Sequence, residues 1–301
     1  MYGSTRAQRL TFTISIVVAA TCFASPVEAQ VITERGLFEW VEGISGRDRE
    51  GRRDYIRDVL TGMDITFMEL PFDSAVVRGR VFSGVNIQAT LGKGKRKVFV
   101  GAHYDAVEGS PGSNDNGAGV AVLLGLLSSL REHPLTTEVS FVFFDREEDG
   151  LIGSHVYARE AVDTSRYLAM INMDVVGMGT ELYAGPVGGG DDDVIMPIMR
   201  QAAASIGVRL GELPDYPGSD HLSFAGAGLE NISLSILPEG DAEKVLAMLN
   251  GEKMTGETAP EVMQTMHTPR DGPETVSGKA MMIMYTFVRE VLLFTEKSGA
   301  R

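Results

Sequence analysis

The chain has 301 residues and one cysteine, Cys22. That scarcity sets the first limits. Residues 30–301 can form no disulfide, and a metal site there can use no thiolate. Positive charge is also short. Lys and Arg number 27 against 41 Asp and Glu, a formal net charge of −14. Such a balance excludes nucleic acid and an anionic membrane surface as partners. No internal repeat or low-complexity tract occurs. The apolar stretch Leu10–Phe23 is too short to span a bilayer comfortably. It follows Arg6 and Arg9, and Val27-Glu28-Ala29 then gives a small-residue cleavage pattern before Gln30. Residues 1–29 therefore read as a secretory signal peptide, and the expected location is secreted or periplasmic, with no membrane contact after cleavage. Thr21 and Ala19 do not suit a lipoprotein signal at Cys22. The oligomeric state stays open.

What is present is ordinary globular composition, 44% hydrophobic and 23% charged, with enough length for one large core. Residues 30–301 read as a single domain. Apolar residues at helical spacing from Glu34 to Leu60, broken at Gly43–Gly46, predict two helices. Alternation from Ile65 to Leu91 predicts antiparallel strands, with turns at Pro71–Asp73 and Gly92–Gly94. Lys97–His103, Val139–Phe144, Leu168–Met173 and Asn231–Leu237 are apolar runs that read as buried strands. Helices are expected at Gly117–Leu130, Ser154–Ala161, Asp193–Ile206, with Asp at its start, and Lys279–Phe294. The alternation predicts an α/β three-layer domain around a mixed, largely parallel sheet.

Metal-type side chains stand at the ends of these strands. His103 ends one, Glu147 and Glu148 follow the next, and Asp174 follows the third. Ligands bind beyond the carboxyl ends of strands in such sheets. Asp115 in Ser113-Asn114-Asp115-Asn116-Gly117 and His267 in His267-Thr268-Pro269 complete the set. Two imidazoles and three carboxylates suit zinc, with cobalt or manganese next. The set has one carboxylate more than a single zinc needs, so two metals sharing a bridge are expected, with Glu147 left as general base for hydrolysis. Asp105 can accept the other ring N–H of His103. His133 and His155 read as plain structural residues. Ser219-Asp220-His221 reads as a cap or turn, or as a patch supporting the ligands.

The ordered set His-x-Asp, Asn-Asp-Asn-Gly, Glu-Glu-x-Gly-x-x-Gly-Ser, Met-Asp, Ser-Asp-His-x-x-Phe and His-Thr-Pro resembles the M28 family of zinc peptidases, which includes secreted bacterial aminopeptidases. The resemblance spans about residues 34–296. It implies a zinc-exopeptidase fold, peptide substrates and two zinc ions bridged by Asp115 and a bound hydroxide. One metal would also take His103 and Asp174, the other Glu148 and His267. It further implies Glu147 as general base, a cis peptide after Asp115, and Tyr216 as a residue that stabilises the tetrahedral intermediate. Gly228-Leu229-Glu230 departs from the family's usual Gly-Ile-Pro. The long segment Pro238–Met266 is a candidate lid, with Glu239, Asp241 and Glu252 as candidate partners for a substrate ammonium.

The leading expectation is therefore a dizinc exopeptidase acting on N-terminal residues. A glutaminyl cyclase shares the fold but usually reads Asp-Ser-Ala at the bridge, where this chain has Asp115-Asn116-Gly117. The M20 peptidases normally carry an inserted dimerisation domain, for which nothing between Asp174 and His267 is long enough. A non-catalytic peptidase-like binding domain usually loses ligands or the base, and here all six residues are present.

Overall fold

A computed structural model describes residues 31–77, 79–160, 166–187 and 194–298. The signal-peptide reading of 1–29 lies outside these residues, as does Asp193, the expected start of a helix. Helices α1 (Glu34–Ile44) and α2 (Arg49–Gly62) begin at side-chain caps. The Thr33 hydroxyl accepts from Gly36 N–H, and the Asp48 carboxylate accepts from Gly51 N–H. Strands β1 (Phe67–Val77) and β2 (Arg80–Leu91) then pair antiparallel. The turn expected at Pro71–Asp73 does not form. Pro71 stays in β1, an edge strand that tolerates a missing N–H, and the register shifts between Phe72 and Ala75.

The chain continues through β3 (Lys97–His103), α3 (Ala118–Leu130), β4 (Glu138–Phe144), α4 (Ile152–Glu160) and β5 (Tyr167–Met173). Next come β6 (Glu181–Gly185), α5 (Ile195–Ile206), β7 (Leu210–Glu212), α6 (His221–Gly226) and β8 (Asn231–Leu237). Helices α7 (Asp241–Leu249), α8 (Glu261–Thr265) and α9 (Gly278–Ser298) close the chain. Among the described residues the sheet has eight strands in the order β1-β2-β4-β3-β5-β8-β6-β7. Its centre, β4-β3-β5-β8, is parallel, and antiparallel pairs flank it.

Alternate residues of the central strands feed two separate cores. Val98, Val100 and Ala102, with Phe141, Phe143, Ala169 and Ile171, pack against α1, α3, α5 and α9. Phe99, Val142, Phe144 and Met170 point the other way, onto Tyr157 and Ala158 of α4 and Phe224 of α6. The three layers follow from that alternation. Almost every residue of α3 is buried, as its all-round apolar sequence requires. Because α3 and α4 cover opposite faces, the chain runs from β3 to β4 on one side and then crosses to β5 on the other. That reversal opens a crevice at the carboxyl ends of β3 and β5. Gly101 pairs with Asn172, so His103 and Asp174, each two residues further on, come level across it.

Glu230 has a visible use. Its carboxylate accepts from the N–H groups of Val194 and Ile195 at 3.0 and 2.7 Å, supplying negative charge at the start of α5. No helix among the described residues is long and apolar enough to cross a membrane.

Candidate metal centre

The side chains of His103, Asp115, Glu148, Asp174 and His267 meet in the crevice, and Asp115 lies at its middle. One Asp115 oxygen, Oδ1, is 3.2 Å from His103 Nε2, which is itself 3.6 Å from Asp174 Oδ1. The other, Oδ2, is 2.9 Å from His267 Nε2, which is 3.2 Å from Glu148 Oε2. The Asp115 carboxylate thus lies between His103 with Asp174 on one side and His267 with Glu148 on the other. Ligand-type atoms of His103, Asp115 and Glu148, and of His103, Glu147 and Asp174, lie within 4.8 Å of one another.

Hydrogen bonds pin the loop that carries Asp115. The Asp115–Asn116 peptide is cis. Asn116 donates to Met173 O at 2.8 Å, and Asn114 accepts from Gly177 N–H at 2.8 Å, so the Asp115 loop is stitched to the end of β5 and to the segment after it. Positive φ values occur at Arg146, beside Glu147, at Val175, beside Asp174, and at His267 itself. For Val175, a β-branched residue, that is a costly conformation of the kind that gathers at functional sites.

Asp105 does more than orient His103. The imidazole Nδ1 lies 3.3 Å from the Asp105 carbonyl and 3.5 Å from its carboxylate. The two carboxylate oxygens also accept from Glu147 and Glu148 N–H at 3.1 and 3.2 Å. One side chain therefore fixes both His103 and the glutamate pair.

The electrostatics ask for cations. Burial pushes the Glu147 carboxyl up to about 10, and Asp220, Asp174 and Glu148 add to the rise while His103 opposes it. Burial alone would lower His103. Glu147 and the flanking carboxylates of Asp105, Asp115 and Asp174 outweigh it and hold the imidazole well above its ordinary value. Hydrogen bonds to Asp115 and Glu148 raise His267 to about 10. Buried oxygens Glu148 Oε1 and Asp174 Oδ1 have no hydrogen-bond partner. Orphan oxygens, proton-attracting imidazoles and a nitrogen–oxygen donor set together fit zinc.

Tyr216 lines the adjoining cavity, but its hydroxyl donates to Ser235 Oγ at 2.7 Å, and Ser235 donates to the Asp174 carbonyl at 2.7 Å. Asp220 and His221 are fully buried, and neither Asp220 oxygens nor His221 ring nitrogens have hydrogen-bond partners, so the capping reading fails. Burial pushes Asp220 up to about 7 and His221 down to about 4. Glu239, Asp241 and Glu252 do not line the cavity. Asp241 is buried and accepts from Lys244 at 3.2 Å and Val262 N–H at 3.1 Å, which ties α7 to α8. His133 and His155 stand apart from the site.

The sequence model of peptidase family M28 matches residues 86–292. The chain belongs to peptidase family M28. Aminopeptidase YwaD of Bacillus subtilis is 31% identical over 216 residues, covering 67% of this chain and 43% of that protein. The chain thus spans less than half the length of that relative. The solved structure of a Bacillus subtilis zinc aminopeptidase superposes with a TM-score of 0.57 at 27% identity, over 70% of this chain and 50% of that one. A Porphyromonas gingivalis glutaminyl cyclase gives 0.66 at 19% identity, over 86% and 97%, which is a likeness of fold alone.

The crowding of carboxylates predicts that metal stabilises the fold. Free zinc about a thousandfold above its dissociation constant would contribute about 4 kcal/mol. Chelation should therefore lower the melting temperature by several degrees. An unchanged melting temperature, with metal loss confirmed by elemental analysis, would contradict this.

Proposed function

We propose that this M28 chain is a secreted or periplasmic aminopeptidase that uses two zinc ions to remove N-terminal residues from peptides. The observation that carries the reading is the division of donors about Asp115, with one oxygen toward His103 and the other toward His267. His103 and Asp174 would hold one ion, Glu148 and His267 the other, and Asp115 both. Bound zinc would acidify water and polarise the scissile carbonyl.

The chain's own residues supply the rest. Glu147 takes a proton from the attacking water and delivers it to the leaving amine. Its carboxyl is raised in the metal-free site, and nearby cations would bring it back toward the range a base needs. A cavity of about 130 Å³ opens beside the donors, walled by Val175, Leu213, Leu237, Val245, Val262 and Met263. That wall favours an apolar first side chain. The segment 238–266 provides part of it through α7 and α8, which closes one side and suits an exopeptidase. The carboxylates within reach of a substrate ammonium are those of the metal centre itself. Tyr216 could donate to the tetrahedral intermediate only by exchanging its bond to Ser235.

Two results test the reading. A zinc-loaded preparation should hydrolyse a dipeptide with a free apolar N-terminal residue and leave its acetylated form untouched. Equal rates on both would remove the aminopeptidase assignment, and cyclisation of an N-terminal glutamine would favour the cyclase instead. Glu147→Gln should keep its metal and lower kcat by roughly 10²–10⁴-fold. Loss of a metal in that variant would make Glu147 a ligand.

A further inference from the structure

We propose that Arg52 and Asp271 form a buried clamp that presets the Asp115 loop and so sets how tightly the site grips metal. The inference rests on the dinuclear reading above, and both are positioning residues. Arg52 lies on α2, outside the residues 86–292 that match the family.

Arg52 stands in line with Ile56 and Leu60 on the buried face of α2, and all three are fully buried. A guanidinium there must have its donors satisfied. Four carbonyls do so: Arg47 at 3.2 Å, Tyr104 at 3.3 Å, Gly112 at 3.2 Å, and Pro111. Tyr104 follows the ligand His103, and Pro111 and Gly112 lead into the loop that carries Asp115.

Asp271 holds the same loop from the other side. Its carbonyl accepts from Ser113 N–H at 3.1 Å. Its carboxylate accepts from Asn114 N–H at 2.8 Å and from Asp115 N–H at 3.1 Å. Residues 111 to 115 are thus held consecutively, the first two by Arg52 and the next three by Asp271. Asp271 is four residues past His267, so the clamp ties three ligand-bearing segments together. Gly112 has φ +61°, and a Cβ there would lie 2.5 Å from Arg52 Nη2, so a side chain would displace the guanidinium.

Charge and position make opposite demands, which makes the clamp testable. Arg52 lies near Asp105, Asp115, Asp271 and Glu148. Removing its charge would, by Coulomb's law alone, tighten cation binding. Losing the position it enforces would loosen binding, by about 10–100-fold for groups that support ligands.

The experiment measures zinc affinity of the full chain by competition with a chromogenic chelator, with folding checked by circular dichroism. Arg52→Lys keeps the charge, but one ammonium cannot serve four carbonyls. Its zinc affinity should fall about 10–100-fold, with kcat reduced more than KM is raised. Arg52→Gln should also bind more weakly despite the lost positive charge, and Asp271→Asn should weaken binding too. Wild-type affinity in Arg52→Lys, or tighter binding in Arg52→Gln, would overturn the clamp. If Arg52→Gln does not fold, Arg52→Lys decides. Wild-type protein that takes up no zinc would overturn the dinuclear reading and the clamp with it, a failure visible without any variant.

Discussion

Like charge held at close quarters is the constraint on which the rest of this structure depends. Asp105, Asp115, Glu147, Glu148, Asp174 and Asp220 converge on the carboxyl ends of β3, β4 and β5, with two imidazoles among them. Such a cluster disfavours the folded state unless protons or cations offset it. The surroundings are built to bear that load. Asp105 and Asp271 are each satisfied by backbone N–H groups. Arg52 contributes a fixed positive charge from below. Positive-φ conformations at Arg146, Val175 and His267 lie around the cluster.

The fold makes the cluster by topology. Parallel strands that end together bring residues far apart in sequence to one edge, and the crossing from β4 to β5 opens a crevice there. Asp115 is delivered into it by a loop, and His267 by the chain leaving α8. The same chain carries Val262 and Met263 into the cavity wall. Residues that shape the apolar cavity and a proposed metal ligand therefore share one short stretch of backbone, stapled at its base by Asp241.

Much of this was legible in the sequence, for a physical reason. Strands buried on both faces appear as short apolar runs, and their ends are marked by the polar residues that cannot continue them. The bounds of β3 and β8 were read to the residue, and those of β4 and β5 to one residue. The helix pair at the start was visible in its spacing. Short elements were not. β6 and β7 have only 5 and 3 residues, and Pro71 looked like a turn because its edge position was invisible. Side-chain work by Asp271 and Asp241 depends on tertiary contacts that no local pattern encodes. Arg52 is different. It occupies an apolar position of an amphipathic helix, and that irregularity was a signal available in the sequence.

The central claim is that Asp115 joins two cations, each with its own pair of partners. The most direct measurement is anomalous diffraction at the zinc absorption edge from crystals of the zinc-loaded protein. The account predicts two peaks about 3.5–4 Å apart, one beside His103 and Asp174 and one beside Glu148 and His267, with an Asp115 oxygen on each. A single peak, or a peak coordinated by Glu147 with Asp115 bound to one ion only, would contradict it.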